Sequence, residues 1–197
     1  MITIIDYGAG NLRSVQNTLD EIGAAYTVTQ TPDRLDGASK VILPGVGHFG
    51  QMLRALDERQ LRAPLLDVIR RGIPFLGICL GLQALFESSE EAPGLQGLGL
   101  FPGTVSRFPA NARVPHMGWN DLERRHSSRL LAGLPDRPYL YFAHSYYAPV
   151  VGATVASCTY ETSYTAVLEH ENMFGVQFHP EKSGPAGLEI MRNFVEL

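Results

Sequence analysis

The chain has 197 residues, 45% of them apolar and 18% charged, enough for one well-filled domain and too apolar for a disordered chain. Sixteen basic residues against twenty acidic give a formal charge of −4, which excludes the basic footprint of a nucleic-acid binder. The richest apolar stretch, Phe75 to Phe86, contains Gln83 and is too short to cross a bilayer, and with an uncharged N-terminal lead and only two cysteines the expectation is a cytoplasmic protein without membrane segment or disulfide scaffold.

In chain order, Met1–Asp6 reads as a buried strand and Leu12–Ile22 as a helix, joined by the loop Tyr7-Gly8-Ala9-Gly10-Asn11. Ala25–Thr29 and Lys40–Leu43 read as strands, Gln51–Arg59 and Leu65–Arg71 as helices, with Gly72 a helix stop. Pro74–Ile78 reads as a strand and Leu80–Glu87 as a helix. Fully apolar strands alternating with amphipathic helices predict a parallel sheet covered on both faces. Later the pattern changes to strands at Val105–Phe108, Tyr139–His144, Val155–Thr159, Tyr164–Glu169 and Phe174–Phe178, with a hairpin turn at Glu171-Asn172 and a last helix over Pro185–Glu196. The expected fold is a single α/β domain over residues 1–197, a mixed, mostly parallel sheet flanked by helices on both faces, with antiparallel additions in the C-terminal half.

Gly77-Ile78-Cys79-Leu80-Gly81 has the spacing of a nucleophile elbow with Cys in the Ser position. A strand ends, the chain turns sharply and a helix begins. Glycine on either side avoids clashes, the side chain meets the helix N-terminus, where an anion is favoured, and the Leu80 N–H points at the same spot as an oxyanion donor. Cys158 lies inside a strand-like run and reads as a packed core residue.

The base is sought among six histidines. His179-Pro180-Glu181 stands out because it follows the apolar strand Phe174–Phe178, at the end where α/β sheets place their ligands. Residues two apart in extended chain project to one side, so Glu181 can orient the imidazole. A metal-binding reading of the His-x-Glu pair lacks a further His or Cys at ligand spacing, and no metal or cofactor is expected. Gly45-Val46-Gly47-His48-Phe49-Gly50 matches a dinucleotide fingerprint by letter, but the acid expected about twenty residues on at a strand end is missing. The better use of that loop is a second oxyanion donor whose peptide, flanked by Gly45 and Gly47, can rotate at low cost.

Cys79 in its elbow, with His179-Pro180-Glu181 about a hundred residues later, resembles the class I (triad) glutamine amidotransferases. Within that class Asp6-Tyr7-Gly8-Ala9-Gly10-Asn11-Leu12, Pro44-Gly45-Val46-Gly47, Pro115-His116-Met117-Gly118-Trp119-Asn120, His144-Ser145-Tyr146 and His179-Pro180-Glu181-Lys182-Ser183 look like the glutaminase subunits of imidazole glycerol phosphate synthase. Leu82 stands where many relatives carry Met. The resemblance implies Cys79 as nucleophile, His179 as base and then acid, and Glu181 as orienter. It implies an oxyanion hole from Leu80 N–H and the Gly45–Gly47 loop, through Val46, and glutamine held by Gln83, Ser145 and Tyr146. It further implies a heterodimer with a (β/α)₈ cyclase subunit that uses the ammonia, docked over the site's mouth near Lys182, Trp119, Tyr141, His144 and Asn11. A glutaminase of another pathway, a cysteine peptidase and a non-catalytic module are the alternatives. The first and third motif blocks, the absence of a papain-type Cys neighbourhood and the intact triad respectively argue against them.

Overall fold

A computed structural model describes all residues, Met1–Leu197. The elements are β1 (Ile2–Ile5), α1 (Leu12–Ile22), β2 (Tyr26–Thr29), β3 (Lys40–Gly45), α2 (Phe49–Glu58), α3 (Arg62–Arg70), β4 (Phe75–Cys79) and α4 (Leu80–Gln83) in the first half. There follow β5 (Phe86–Ser89), β6 (Phe101–Arg107), β7 (His116–Asp121), β8 (Glu123–Arg124), β9 (Tyr139–His144), β10 (Tyr146–Tyr147), β11 (Thr154–Tyr160), β12 (Thr162–His170), β13 (Met173–Val176) and α5 (Gly184–Glu196).

Eight strands form the main sheet in the order β2-β1-β3-β4-β13-β12-β11-β8. The run from β2 to β13 is parallel, and β12, β11 and β8 continue it antiparallel. The strands are apolar throughout because alternate residues enter two separate cores. Ile4, Ile42, Leu76 and Ile78 pack with Val15 and Leu19 of α1 and Ile190, Met191 and Phe194 of α5. Ile5, Val41, Leu43 and Phe75 pack on the other face with Met52, Leu53 and Leu56 of α2 and Leu65, Val68 and Ile69 of α3. The expected mixed sheet between two helical layers is therefore present, and its antiparallel part does come from the C-terminal half. The Glu171-Asn172 hairpin turn is also found, pairing His170 with Met173; Glu171 takes φ 52° and the Asn172 side chain ties the turn to the carbonyls of Ile69 and Ile73.

The expected helix Leu80–Glu87 is wrong beyond its first turn. Helix α4 stops at Gln83, and Phe86–Ser89 is strand β5, paired parallel with β6. An apolar run without clear periodicity suits a buried helix or a buried strand equally. Here the tertiary partner decides, because Phe86 is fully buried beside Phe101, with ring centroids 6.0 Å apart. Two small sheets outside the main one, β10-β6-β5 and β7-β9, likewise depend on partners distant in sequence.

Candidate active site

The site lies where three neighbouring parallel strands end. Gly45 of β3 is in register with Cys79 of β4, and Ile78 with Val176 of β13. Adjacent strands lie about 4.8 Å apart, so the loop after β3, the cysteine ending β4 and the segment after β13 emerge side by side.

Cys79 has φ 53° and ψ −105°, a left-handed conformation rare for a residue with a side chain, and it caps the N-terminus of α4. The fold enforces that turn through close backbone approach. A Cβ at Gly81 would stand 2.0 Å from the Leu43 carbonyl oxygen, and one at Gly77 would stand 2.5 Å from that of Gly81. Leu80 begins α4, so its N–H has no intrahelical acceptor.

His179 is buried and donates from Nδ1 to Glu181 Oε1 at 2.8 Å, a donor role fixed by the carboxylate being able only to accept. The ring and Cys79 line the same cavity. Burial lowers the proton affinity of the imidazole, but the Cys79 sulfur and Glu181 outweigh it and raise its pKa to about 10. Glu181 Oε2 is buried with no protein hydrogen-bond partner. The backbone of His179 is held on both sides. Its N–H donates to the Tyr141 carbonyl at 2.8 Å, and the Ser183 hydroxyl accepts from Tyr141 N–H at 2.9 Å while donating to the His179 carbonyl at 2.6 Å. Ser183 ends the His179-Pro180-Glu181-Lys182-Ser183 motif, and its spacing carries no sign of this clamp.

Cys79, His179, Leu80, Val46, Gly47, Gln83, Ser145 and Tyr146 line one open cavity of about 210 Å³, below the roughly 300–1,000 Å³ of drug-sized sites. The structure thus brings together the residues expected for nucleophile, base, oxyanion hole and substrate. Glu91, unremarked in the sequence, also lines the cavity and is its only acid; its Oε2 accepts from Phe49 N–H at 2.7 Å. Gln83 is not free to donate. Its amide hydrogens go to the Tyr146 carbonyl at 2.8 Å and Gln177 Oε1 at 3.0 Å, leaving only its oxygen as an open group.

Val46 is engaged in a similar way. Its N–H donates to the Tyr7 hydroxyl at 3.2 Å, and that hydroxyl donates back to the Val46 carbonyl at 3.1 Å. The Val46 N–H is therefore occupied in this conformation. Gly47 has φ +98°, and nothing lies within 4 Å of where a Cβ would stand, so the peptide has room to turn.

Of the residues expected at a partner surface, Trp119 is 55% exposed and lies opposite Tyr141 in the β7-β9 pair. Lys182 Nζ lies 6.0 Å from the Tyr141 ring centre. Met117, on the same ribbon, is 65% exposed and lines the cavity. Asn11 caps the start of α1 and accepts from the Ser14 hydroxyl at 2.9 Å. His144 does not fit the expectation of a surface contact, being only 6% exposed. It donates from Nδ1 to the Tyr146 carbonyl at 2.8 Å, so its Nε2 accepts from the Tyr164 hydroxyl at 3.3 Å. Tyr164 in turn accepts from His116 Nδ1 at 3.2 Å. Burial lowers the pKa of His116 to about 4 and of His144 to about 3, consistent with this neutral relay. Cys158 is fully buried and its thiol is pushed up to about 11 by burial.

Among proteins of known name, imidazole glycerol phosphate synthase subunit HisH of Methanothermobacter thermautotrophicus is 52% identical over 100% of this chain and 98% of its own length. The subunit of the same name from Desulfitobacterium hafniense is 47% identical over 98% of this chain and 93% of its own, and that from Thermococcus kodakarensis is 45% identical over the whole of both. The fold is similar to that of PurLQS from Thermotoga maritima, with TM-score 0.78 at 18% identity over 99% of this chain and 97% of that one. A crystal structure of a glutamine amidotransferase matches equally, with TM-score 0.78 over 100% and 98% of the two chains. Residues 3–197 match the family model described as glutamine amidotransferase class-I, and the chain belongs to that family.

Proposed function

We propose that this chain is the glutaminase subunit of an imidazole glycerol phosphate synthase. It hydrolyses L-glutamine to glutamate and ammonia and passes the ammonia to a (β/α)₈ cyclase subunit, in histidine biosynthesis. The observation that carries the chemistry is the strained Cys79 at a helix N-terminus, sharing its cavity with an imidazole that has a buried carboxylate behind it. Full-length identity to subunits of that synthase supports the choice of acceptor.

The sulfur anion attacks the side-chain carbonyl carbon of glutamine, and the carbonyl electrons move to oxygen. Leu80 N–H meets this oxyanion. The loop Gly45–Gly47 supplies the second donor, through Val46 once it leaves Tyr7, with Gly47 as the hinge. His179, protonated because Cys79 and Glu181 hold the proton there, gives it to the leaving nitrogen as the C–N bond breaks. The neutral imidazole then takes a proton from water, whose oxygen attacks the thioester. Collapse of the second tetrahedral state releases glutamate and restores the anion–imidazolium pair.

Glu91 is the carboxylate available to the substrate's ammonium, Ser145 and Tyr146 flank its amino-acid end, and the Gln83 oxygen accepts from it. The exposed Met117–Trp119 ribbon at the mouth, with Lys182 and Tyr141 beside it, is the surface for the cyclase. No helix is long and apolar enough to cross a membrane. We place the protein in the cytoplasm, where its two free cysteines stay reduced.

Glutamate formation by the purified chain, alone and with the cyclase and its nucleotide, tests the reading. Turnover that rises with the partner and vanishes in Cys79→Ala is the expected result. Absence of turnover with the complete synthase overturns it.

A further inference from the structure

We propose that Gln177 is a positioning residue for the Cys79 sulfur, its carboxamide N–H holding the sulfur anion from the buried side while His179 holds it from the cavity. The inference rests on Cys79 being the nucleophile.

Gln177 is fully buried just beyond β13, and its backbone N–H is fixed on the Ala166 carbonyl at 2.9 Å. It lies two residues before His179, so both side chains leave the extended segment on the side of Cys79. Its Nε2 is 3.6 Å from the Cys79 sulfur.

Which end of the carboxamide faces the sulfur is decided by its neighbour. The Tyr146 carbonyl can only accept, and it takes one hydrogen from Gln83 Nε2 at 2.8 Å. The second hydrogen of that nitrogen meets Gln177 at 3.0 Å, so the atom there is oxygen and the group toward the sulfur is NH₂. The reverse setting would oppose two NH₂ groups and aim a carbonyl oxygen at the sulfur. The two glutamines thus form a directed chain from a fixed backbone carbonyl to the reacting atom.

The two sulfur partners differ in kind. The imidazole gains and loses its proton in every cycle, whereas the carboxamide does not titrate. A hydrogen bond to an anion favours the charged form, so Gln177 acts most when the sulfur is charged. The sulfur carries that charge as it attacks the substrate carbonyl and as it leaves in thioester hydrolysis. Gln177 therefore keeps the sulfur poised and assists its departure from the acyl group. The other titratable groups facing the sulfur are Tyr7 beyond β1 and Tyr164 on β12. Burial raises both, Tyr7 to about 12, so both stay uncharged.

The test uses Gln177→Met and Gln177→Leu, each of which removes the donor without adding a charge, in the full chain with its cyclase. Alkylation of Cys79 by iodoacetamide is followed from about pH 5 to 9 and located by peptide mass, with buried Cys158 as the unreactive reference. In both variants the midpoint should move up by about one pH unit. At pH values below both midpoints the rate should fall about tenfold, with the alkaline plateau nearly unchanged. Quenched turnover should contain more glutamyl-enzyme than wild type. Unmoved midpoints in both variants overturn the proposal, even where kcat falls. So does failure of both to fold, which would make the carboxamide a scaffold part. Wild-type glutamine turnover, measured alongside, separates the two readings. Missing turnover with shifted midpoints removes the glutaminase assignment and keeps Gln177, and turnover with unmoved midpoints does the reverse.

Discussion

Glu181 presents one oxygen to His179 and leaves the other buried without a partner. Glu181→Gln offers an amide that can meet the ring in the wrong tautomer, and kcat for glutamine should fall about 10²- to 10⁴-fold with KM little changed, as steady-state kinetics will show. Glu91 is a different case, because it faces the cavity and touches no reacting atom. Glu91→Gln should raise KM about ten- to a hundredfold and spare kcat, the loss of one charge-assisted hydrogen bond. Of these residues the sequence made Cys79, His179 and Glu181 legible, since elbow and His-x-Glu spacing are local. Glu91, Gln177 and Ser183 were not legible, because each acts on a partner far away along the chain. The state of Val46 was hidden for the same reason, its N–H being taken by a tyrosine from another strand's loop.

The elements around the elbow separate two uses of glycine. At Gly81 an added methyl would collide with the Leu43 carbonyl, which is backbone and cannot yield. Gly81→Ala should part β3 from α4, lowering the thermal midpoint by several degrees or preventing folding, as followed by circular dichroism. At Gly47 the space is open and only φ +98° opposes a side chain. Gly47→Ala should cost about 1–3 kcal/mol, lowering the thermal midpoint by a few degrees, and reduce glutaminase rate or its response to the cyclase. These glycines, the parallel strands and the hairpin at Glu171-Asn172 could be read from local pattern. The early end of α4 could not, because Ala84-Leu85-Phe86 carries no period that distinguishes helix from strand.

For the molecule as a whole, the buried relay of His116, Tyr164 and His144 sets acid tolerance. Both histidines have folded pKa values, about 4 and about 3, below the ordinary 6.5, so the unfolded chain binds more protons between them. Stability from this source is complete above about pH 6.5 and drains away as pH falls toward 4 for His116 and toward 3 for His144. Urea midpoints should therefore drop steeply across that window, and His144→Gln should flatten part of the slope. Strand order also sets when the site is completed during synthesis. The sheet seats β13 against β4, so the segment carrying the imidazole is made almost last yet lands beside a cysteine made much earlier. A chain still on the ribosome holds the thiol without its base and with one strand edge bare. On the proposed chemistry the chain is inert through most of its own synthesis, and a product truncated before that segment releases no ammonia.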